Sequence, residues 1–293
     1  MKGIILAGGM GTRLHPSTIS VSKQLLPIYD KPLIYYPLSN LLSAGISEIL
    51  IISTSDNIKL LNKLFGDGKF LGINLSYAVQ DNPNGIAEAF IIGEKFIGGD
   101  DVTLILGDNI FYGNQISHYL GQQASQNCNG AKIFAYKVPD PQRYGVAEFN
   151  SSFSVISIEE KPINPKSNYA VTGLYVYDSN VCELSKSLSP SARGELEITD
   201  LNNLYLKNNN LEVILLDTGT AWLDAGTPDS LLEAAHFVQT IQNRQLIQIA
   251  CLEEIALEKG FISREEYKKL AINAPNNKYG NYLRGLLNED KIT

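Results

Sequence analysis

The chain opens on a short apolar run, Ile4 to Leu6, that ends almost at once in Gly8, Gly9 and Gly11, with Thr12, Arg13 and Leu14 behind them. A run of that length fits a buried strand, and glycines let the backbone leave it through a sharp turn. Such a turn gathers several N–H groups around one point, which is how a loop binds phosphate through backbone dipoles. Arg13 and the slightly later Lys23 add full positive charges. A charge-assisted contact to phosphate is about twice as strong as a neutral one. The opening therefore reads as a strand that feeds a phosphate cradle carrying its own cations.

Two better-known phosphate loops are excluded. A dinucleotide fingerprint needs a third glycine for close helix packing, and Leu14 stands there. Asp30 lies at a tempting distance downstream, but the next strand pattern begins only near Glu48, so Asp30 is not at a strand tip. A Walker A loop fails because Gly68-Lys69 is followed by Phe70 rather than Ser or Thr. A glycine-rich turn without a ligand is the competing explanation; Arg13 and Lys23 tip the reading to phosphate.

The 293 residues, 44% hydrophobic and 19% charged, suffice for one large core or two smaller ones. A formal net charge of −7 opposes binding to nucleic acid or an anionic membrane, so an anionic ligand must meet a local cationic pocket. Cys128, Cys182 and Cys251 are far apart, which suits buried thiols in a reducing compartment and offers no zinc spacing. His15, His118 and His236 are equally scattered. No apolar stretch is long enough to span a bilayer, and the apolar start is too short for a signal peptide, so a cytoplasmic protein is expected.

Strand patterns at Ile4–Leu6, Ile49–Ser53, Leu75–Val79 and Thr103–Leu106 alternate with helical ones near Leu33–Ala44, Ile58–Leu64, Ile86–Lys95 and Ile116–Gln126. Alternation of this kind predicts a parallel sheet covered on both faces, with ligands at the carboxyl ends of its strands. Pro32 suits the first turn of its helix, with Asp30 nearby, and Gly45 its end. The second half is richer in strands (Ile133–Val138, Val146–Phe149, Val155–Glu159, Ala170–Tyr177 and Val213–Leu216) and reads as a lid or substrate region. Thr227 with Pro228 opens a helix carrying an apolar stripe, and Ser263 to Glu266 has capping-box spacing for another that ends before Pro275. The division expected is residues 1–227 as the core and 228–293 as a helical extension packed on it or on another subunit.

Asp108 stands just beyond an apolar strand, a good position for a magnesium ligand; a Gly-Asp turn is the alternative. Asp224 lies between an apolar pair and a glycine and, taken alone, reads as a turn residue or a helix-approach cap. Glu160 and Lys161 end a strand with both charge signs, and Arg193 sits among acids; solvated surface explains both as well.

Together these motifs resemble, across nearly the whole chain, the sugar-1-phosphate nucleotidyltransferases. Leu6-Ala7-Gly8-Gly9-x-Gly11-Thr12-Arg13-Leu14 and Lys23-Gln24-Leu25-Leu26-Pro27 carry the superfamily likeness. Gly107 to Gly113, Arg143-Tyr144-Gly145-Val146, Glu159 to Pro162, Tyr169 to Gly173 and Arg193-Gly194-Glu195 resemble the branch that transfers thymidylyl groups. The resemblance implies a Rossmann-like α/β fold: a mostly parallel central sheet with helices on both faces, an inserted β-rich sugar-binding region and a helical C-terminal tail. It implies that Gly8, Gly11, Thr12 and Arg13 hold nucleotide phosphates, that Gln24, Gln80 and Gly85 meet base and deoxyribose, and that Lys23 lies near the α-phosphate. Asp108 and Asp224 would share Mg2+. Asn109, Gly145, Glu160 and Val171 would bind glucose, with Lys161 and Arg193 on its phosphate. Arg13, Lys23, Asp108, Lys161 and Asp224 would form the catalytic set.

The implied substrates are dTTP and glucose 1-phosphate, the products dTDP-glucose and pyrophosphate. A homotetramer and feedback by dTDP-rhamnose are also implied. Met10, His15, Glu88 and Ala225 depart from the pattern, which more often has Ser, Tyr, Gln and Thr; Ala225 puts in doubt a hydroxyl contact beside a metal ligand. A uridylyltransferase, another sugar-nucleotide pyrophosphorylase and a non-catalytic sugar-nucleotide-binding regulator are the rivals.

Overall fold

The computed structural model describes residues 1–9, 11–124 and 128–289. Met10 and the last residues of the helix expected to reach Gln126 lie outside them. The first half runs β1 (Lys2–Leu6), a small ribbon of β2 (Pro27–Ile28) and β3 (Lys31–Pro32), α1 (Tyr35–Ser43), β4 (Glu48–Ser53), α2 (Ser55–Phe65), β5 (Asn74–Val79), α3 (Glu88–Ile92), α4 (Glu94–Ile97), β6 (Val102–Leu106), β7 (Asn109–Tyr112) and α5 (Asn114–Ala124). The second runs β8 (Ala131–Lys137), β9 (Gly145–Phe149), β10 (Val155–Glu160), β11 (Tyr169–Tyr177), α6 (Val181–Lys186), α7 (Ile198–Lys207), β12 (Leu211–Leu215) and β13 (Ala221–Asp224), then helices α8 (Pro228–Gln245), α9 (Leu252–Glu258), α10 (Arg264–Asn273) and α11 (Lys278–Glu289).

The strands β6, β1, β4 and β5 are parallel neighbours, as the alternation predicts. Successive side chains of β1 serve opposite faces: Ile5 joins a core with α1, α2, α5, α9 and α10, while Ile4 and Leu6 join one with α3, α6 and α7. Strands buried on both faces need continuous apolar runs rather than alternation, and β1, β4 and most of β6 have them, whereas the edge strand β5 does not. The sheet is mostly parallel at its centre, as expected, and turns mixed at β11, which lies antiparallel to β6 and carries β8 and then β12 beyond it. The β-rich second half is therefore largely part of the same sheet, with β9 and β10 hanging as a hairpin from the start of β11.

Two local expectations shift. Pro32 belongs to the β2–β3 ribbon, and it is Pro37 that occupies the first turn of α1, where a missing N–H costs nothing. Gly45 does end that helix, with φ 82° and its N–H on the Leu42 carbonyl. The helix expected over Ile86–Lys95 breaks at Gly93, where a Cβ would sit 3.0 Å from the Ala89 carbonyl oxygen and 3.1 Å from the Ile4 side chain. Both predicted caps are present as reciprocal boxes, Thr227 with Ser230 and Ser263 with Glu266. Cys251, Leu252, Ala256, Tyr267, Ala271 and Leu283 share the larger core with β1 and α1, so the C-terminal helices are packed on the sheet's helical layer.

Candidate active site

At the carboxyl end of β1 the chain turns through Gly9 (φ 92°) and Gly11 (φ 58°) into one tight turn, Thr12–Leu14. Gly11 is doubly constrained: its φ suits glycine, and a Cβ would stand 2.9 Å from the Thr18 methyl. Thr18 also donates its hydroxyl to the Gly11 carbonyl at 2.9 Å, closing the loop on itself. A second turn, Lys23–Leu25, braces the glycines from below, with Gln24 Nε2 donating to the Gly8 carbonyl at 3.2 Å. Leu14 is buried, while Thr12 and Arg13 stay exposed at the mouth.

The carboxylates Asp108 and Asp224 meet because β7 pairs antiparallel with β13, placing Asn109 opposite Asp224. The Ala225 N–H donates to the Asp108 carbonyl at 3.0 Å, which fixes the register. Lys23 Nζ lies 2.5 Å from Asp108 Oδ2, and Asn109 donates to Oδ1 at 2.8 Å. Burial pushes the Asp108 carboxyl up, but the charge and hydrogen bond of Lys23, helped by Asn109, outweigh it and hold it below the ordinary range. Asp224 goes the other way. Burial, with a further push from the Asp108 charge, raises it despite Arg143, whose Nη2 lies 3.3 Å from its Oδ2. A Cβ on Gly226 would stand 3.2 Å from Asp224 Oδ2 and 3.3 Å from Arg13 Nη2, so the guanidinium and the carboxylate flank the same glycine.

Two adjacent carboxylates, one raised partly by the other's charge, suit a hard divalent cation that takes few protein ligands and fills its shell with phosphate oxygens and water. Among the described residues no group of three or more His, Cys, Asp or Glu forms a closed cage. The donor set therefore fits magnesium better than zinc.

Among the residues expected on the sugar side, Lys161 adopts φ 44°, an unusual backbone for a side-chain-bearing residue, and its N–H is anchored on the Tyr144 carbonyl at 3.0 Å. Its ammonium lies 3.4 Å from Glu160 Oε1, and Thr199 donates to Glu160 Oε2 at 2.6 Å. Arg193 is gripped by Glu197 through two parallel contacts, Nε to Oε1 at 3.0 Å and Nη2 to Oε2 at 2.7 Å. Asn109 is fully engaged: its Oδ1 accepts from Trp222 Nε1 at 2.6 Å and from the Gly173 N–H at 3.1 Å. That second bond exists because the β11–β8 register shifts between Val171 and Tyr175, turning Gly173 away from the ladder.

These side chains line two connected hollows. The larger, about 710 Å³, takes Thr12, Arg13, Asn109, Asp224 and the sugar-side set of Gly145, Glu160, Lys161, Val171 and Arg193. The smaller, about 210 Å³, takes Gly8, Gln24, Gln80 and Gly85. Asp108 lines both. Of the residues singled out in the sequence, Gly11 and Lys23 line neither; one shapes the loop and the other supports Asp108. Sequence reasoning gave no role to Arg143, Trp222 or Glu197, which hold Asp224, Asn109 and Arg193 respectively. Arg143 stood in a quoted motif; Trp222 and Glu197 gave no local signal.

A family model described as nucleotidyl transferase matches residues 2–241. The chain belongs to the nucleotidyl transferase family. Among its relatives, glucose-1-phosphate thymidylyltransferase from Neisseria meningitidis is 58% identical over 98% of this chain and 99% of the relative. The Mycobacterium tuberculosis protein of the same name is 52% identical with the same coverage. A solved structure from Bacillus anthracis, assigned as a glucose-1-phosphate thymidylyltransferase and in complex with sucrose, is 45% identical, covers 81% of this chain and 94% of its own, and superposes with a TM-score of 0.75. A UDP-glucose pyrophosphorylase complexed with UDP-glucose shares the fold at a TM-score of 0.70, with 24% identity and coverage of 82% and 98%. A nucleotidyl transferase fold is thus common to all of them.

Proposed function

We propose that this nucleotidyltransferase joins the thymidylyl group of dTTP to glucose 1-phosphate, giving dTDP-glucose and pyrophosphate. The observation that carries the reading is the pair of hollows meeting at Asp108, one bearing Gly8, Gln24, Gln80 and Gly85 and the other the sugar-phosphate residues, with Thr12 and Arg13 at the larger one. Relatives of this name at 52–58% identity over nearly the full length support the choice of substrates.

A phosphate oxygen of glucose 1-phosphate attacks the α-phosphorus of dTTP; the new P–O bond forms as the bond to pyrophosphate breaks, and the electron pair leaves with pyrophosphate. The nucleophile is already anionic, so no general base is needed. The task is to align two polyanions and spread charge on the leaving group. Gly8, Gly11, Thr12 and Arg13 receive the nucleotide phosphates, Gln24, Gln80 and Gly85 the base and deoxyribose. Lys23 lies close to the α-phosphate through its position on Asp108. Lys161 and Arg193 take the sugar phosphate, with Asn109, Gly145, Glu160 and Val171 around glucose; Asn109's bonds to Trp222 and Gly173 make it a rigid wall. Asp108 and Asp224 would hold Mg2+, which supplies charge neutralisation on the reacting phosphates when bound.

Residues 1–227 form the catalytic core in this reading and 228–293 an extension packed on it. Cytoplasmic location suits nucleotide substrates, and no helix among the described residues is long and apolar enough to cross a membrane. A homotetramer with feedback by dTDP-rhamnose rests on family likeness alone. The test is pyrophosphate release with magnesium, crossing dTTP, UTP, ATP and GTP with glucose-, mannose- and N-acetylglucosamine-1-phosphate. Highest kcat/KM for dTTP with glucose 1-phosphate is expected. Preference for another pair replaces the substrates, and binding without turnover makes the chain a regulator.

A further inference from the structure

We infer that Glu88 fixes which end of the Gln80 amide faces the smaller hollow, and so makes that hollow select an imide-bearing pyrimidine, thymine or uracil, over cytosine. The inference rests on the reading above that Gln80 meets the base.

Gln80 follows the end of β5 and is 8% exposed. Its Nε2 donates twice, to the Gly85 carbonyl at 3.2 Å and to Glu88 Oε2 at 2.7 Å. Neither a carbonyl nor an ionised carboxylate can donate, so a reversed amide would set its oxygen against two acceptors and lose both bonds. Glu88 is itself held, because Asn84 Nδ2 donates to its other oxygen at 2.8 Å. Gln80 Oε1 is left without a hydrogen bond among the described residues, 3.3 Å from where a Cβ on Gly8 would stand. Around it the hollow is largely apolar, with Leu6, Pro83, Ile86 and Leu106.

A fixed acceptor in such a place favours a ring that presents an N–H. The N3–H of thymine or uracil does so, whereas cytosine presents a lone pair at N3 and is repelled. A glutamine at position 88 could offer either an oxygen or an amino group to Gln80, which leaves only the longer contact to the Gly85 carbonyl opposing the reversed amide. The carboxylate supplies the shorter of the two contacts that fix the orientation, and it is one of the points where this chain departs from the usual pattern.

The test measures kcat and KM for dTTP and dCTP at saturating glucose 1-phosphate in the wild-type enzyme, Glu88→Gln and Asn84→Ala. In Glu88→Gln the dTTP-over-dCTP ratio of kcat/KM should fall about tenfold, through KM, with kcat for dTTP within about twofold of wild type. Asn84→Ala, which frees Glu88 to leave Gln80, should move the ratio the same way by about threefold and carries the test if the first variant does not fold. An unchanged ratio in a discriminating wild-type background overturns the inference, as does an equal loss of kcat for both nucleotides. A wild-type enzyme that does not prefer dTTP to dCTP defeats instead the assignment of the hollow to the base.

Discussion

In the reading proposed above, the wall that would face the nucleotide and the wall that would face the sugar phosphate are built in opposite ways. The phosphate-facing part of the first comes from nearby chain, where the turns Thr12–Leu14 and Lys23–Leu25 follow and brace the glycines after β1, and Gln80 and Gly85 join it from the loop after β5. The second is assembled from remote pieces: Asn109 is placed by Trp222 and Gly173, Asp224 by the β7–β13 pairing, and Arg193 by Glu197. Phosphate binding can be written into a local motif because backbone N–H groups do much of it. Sugar recognition demands fixed polar side chains, and these need partners from several elements.

The comparison breaks first at Lys23, a member of the local wall that acts on the shared Asp108. Lys23→Ala should lower kcat at saturating substrates by about 10²–10³ fold if it stabilises charge in the transition state. A near-normal kcat would remove it from the mechanism. The next effect separates the two carboxylates by pH. Asp224, raised by burial, takes up a proton at a higher pH than an ordinary aspartate, whereas Asp108, held down by Lys23, remains ionised. The magnesium concentration for half-maximal activity should therefore rise as pH falls, by about tenfold per unit below the Asp224 pKa, and Asp224→Asn should flatten that dependence. The stability sign is opposite for the two. The charged form of Asp224 costs folding free energy that is recovered as pH falls through its raised pKa, and the stability contributed by Asp108 is lost as pH falls through its lowered one.

The smallest effect probes assembly at a distance. Glu197→Gln keeps shape but weakens the two-pronged grip on Arg193, so KM for glucose 1-phosphate should rise about five- to tenfold while KM for dTTP stays within about twofold. A matching rise for both substrates would mean that the two walls are less separate than their construction suggests.

The same contrast explains what the sequence revealed. The four parallel strands, the glycine loop, the Thr227 cap and the Ser263–Glu266 capping box are local patterns, and each was legible. β7 was not, because Asn109–Tyr112 is only four residues long and becomes a strand through pairing with Ala221–Asp224. Helix α7 was hidden by Thr199, Asp200, Asn202 and Asn203, poor helix formers whose cost is met by burying Ile198, Leu201 and Tyr205. Spacing alone could not bring Asp224 to Asp108, and Pro32 competed with Pro37 for the start of α1 because both precede the same apolar stripe. Ala225 illustrates the limit most sharply. Its side chain packs among Ile110, Ala234 and Val238, and its backbone N–H joins the two acidic segments, so a position suspected for a missing hydroxyl contributes through its main chain.

Backbone contacts also join the two walls. The backbone of Leu196, between Glu195 and Glu197, donates to the Asn84 carbonyl at 2.6 Å and accepts from the Ala87 N–H at 3.2 Å, and a Cβ on Gly85 would come within 2.3 Å of its carbonyl oxygen. The base-side loop is therefore not a cassette. Grafting residues 80–88 into another sugar-nucleotide scaffold would carry the hydrogen-bonding edge without its seat, and a functional transplant has to bring the Arg193–Thr199 segment with it.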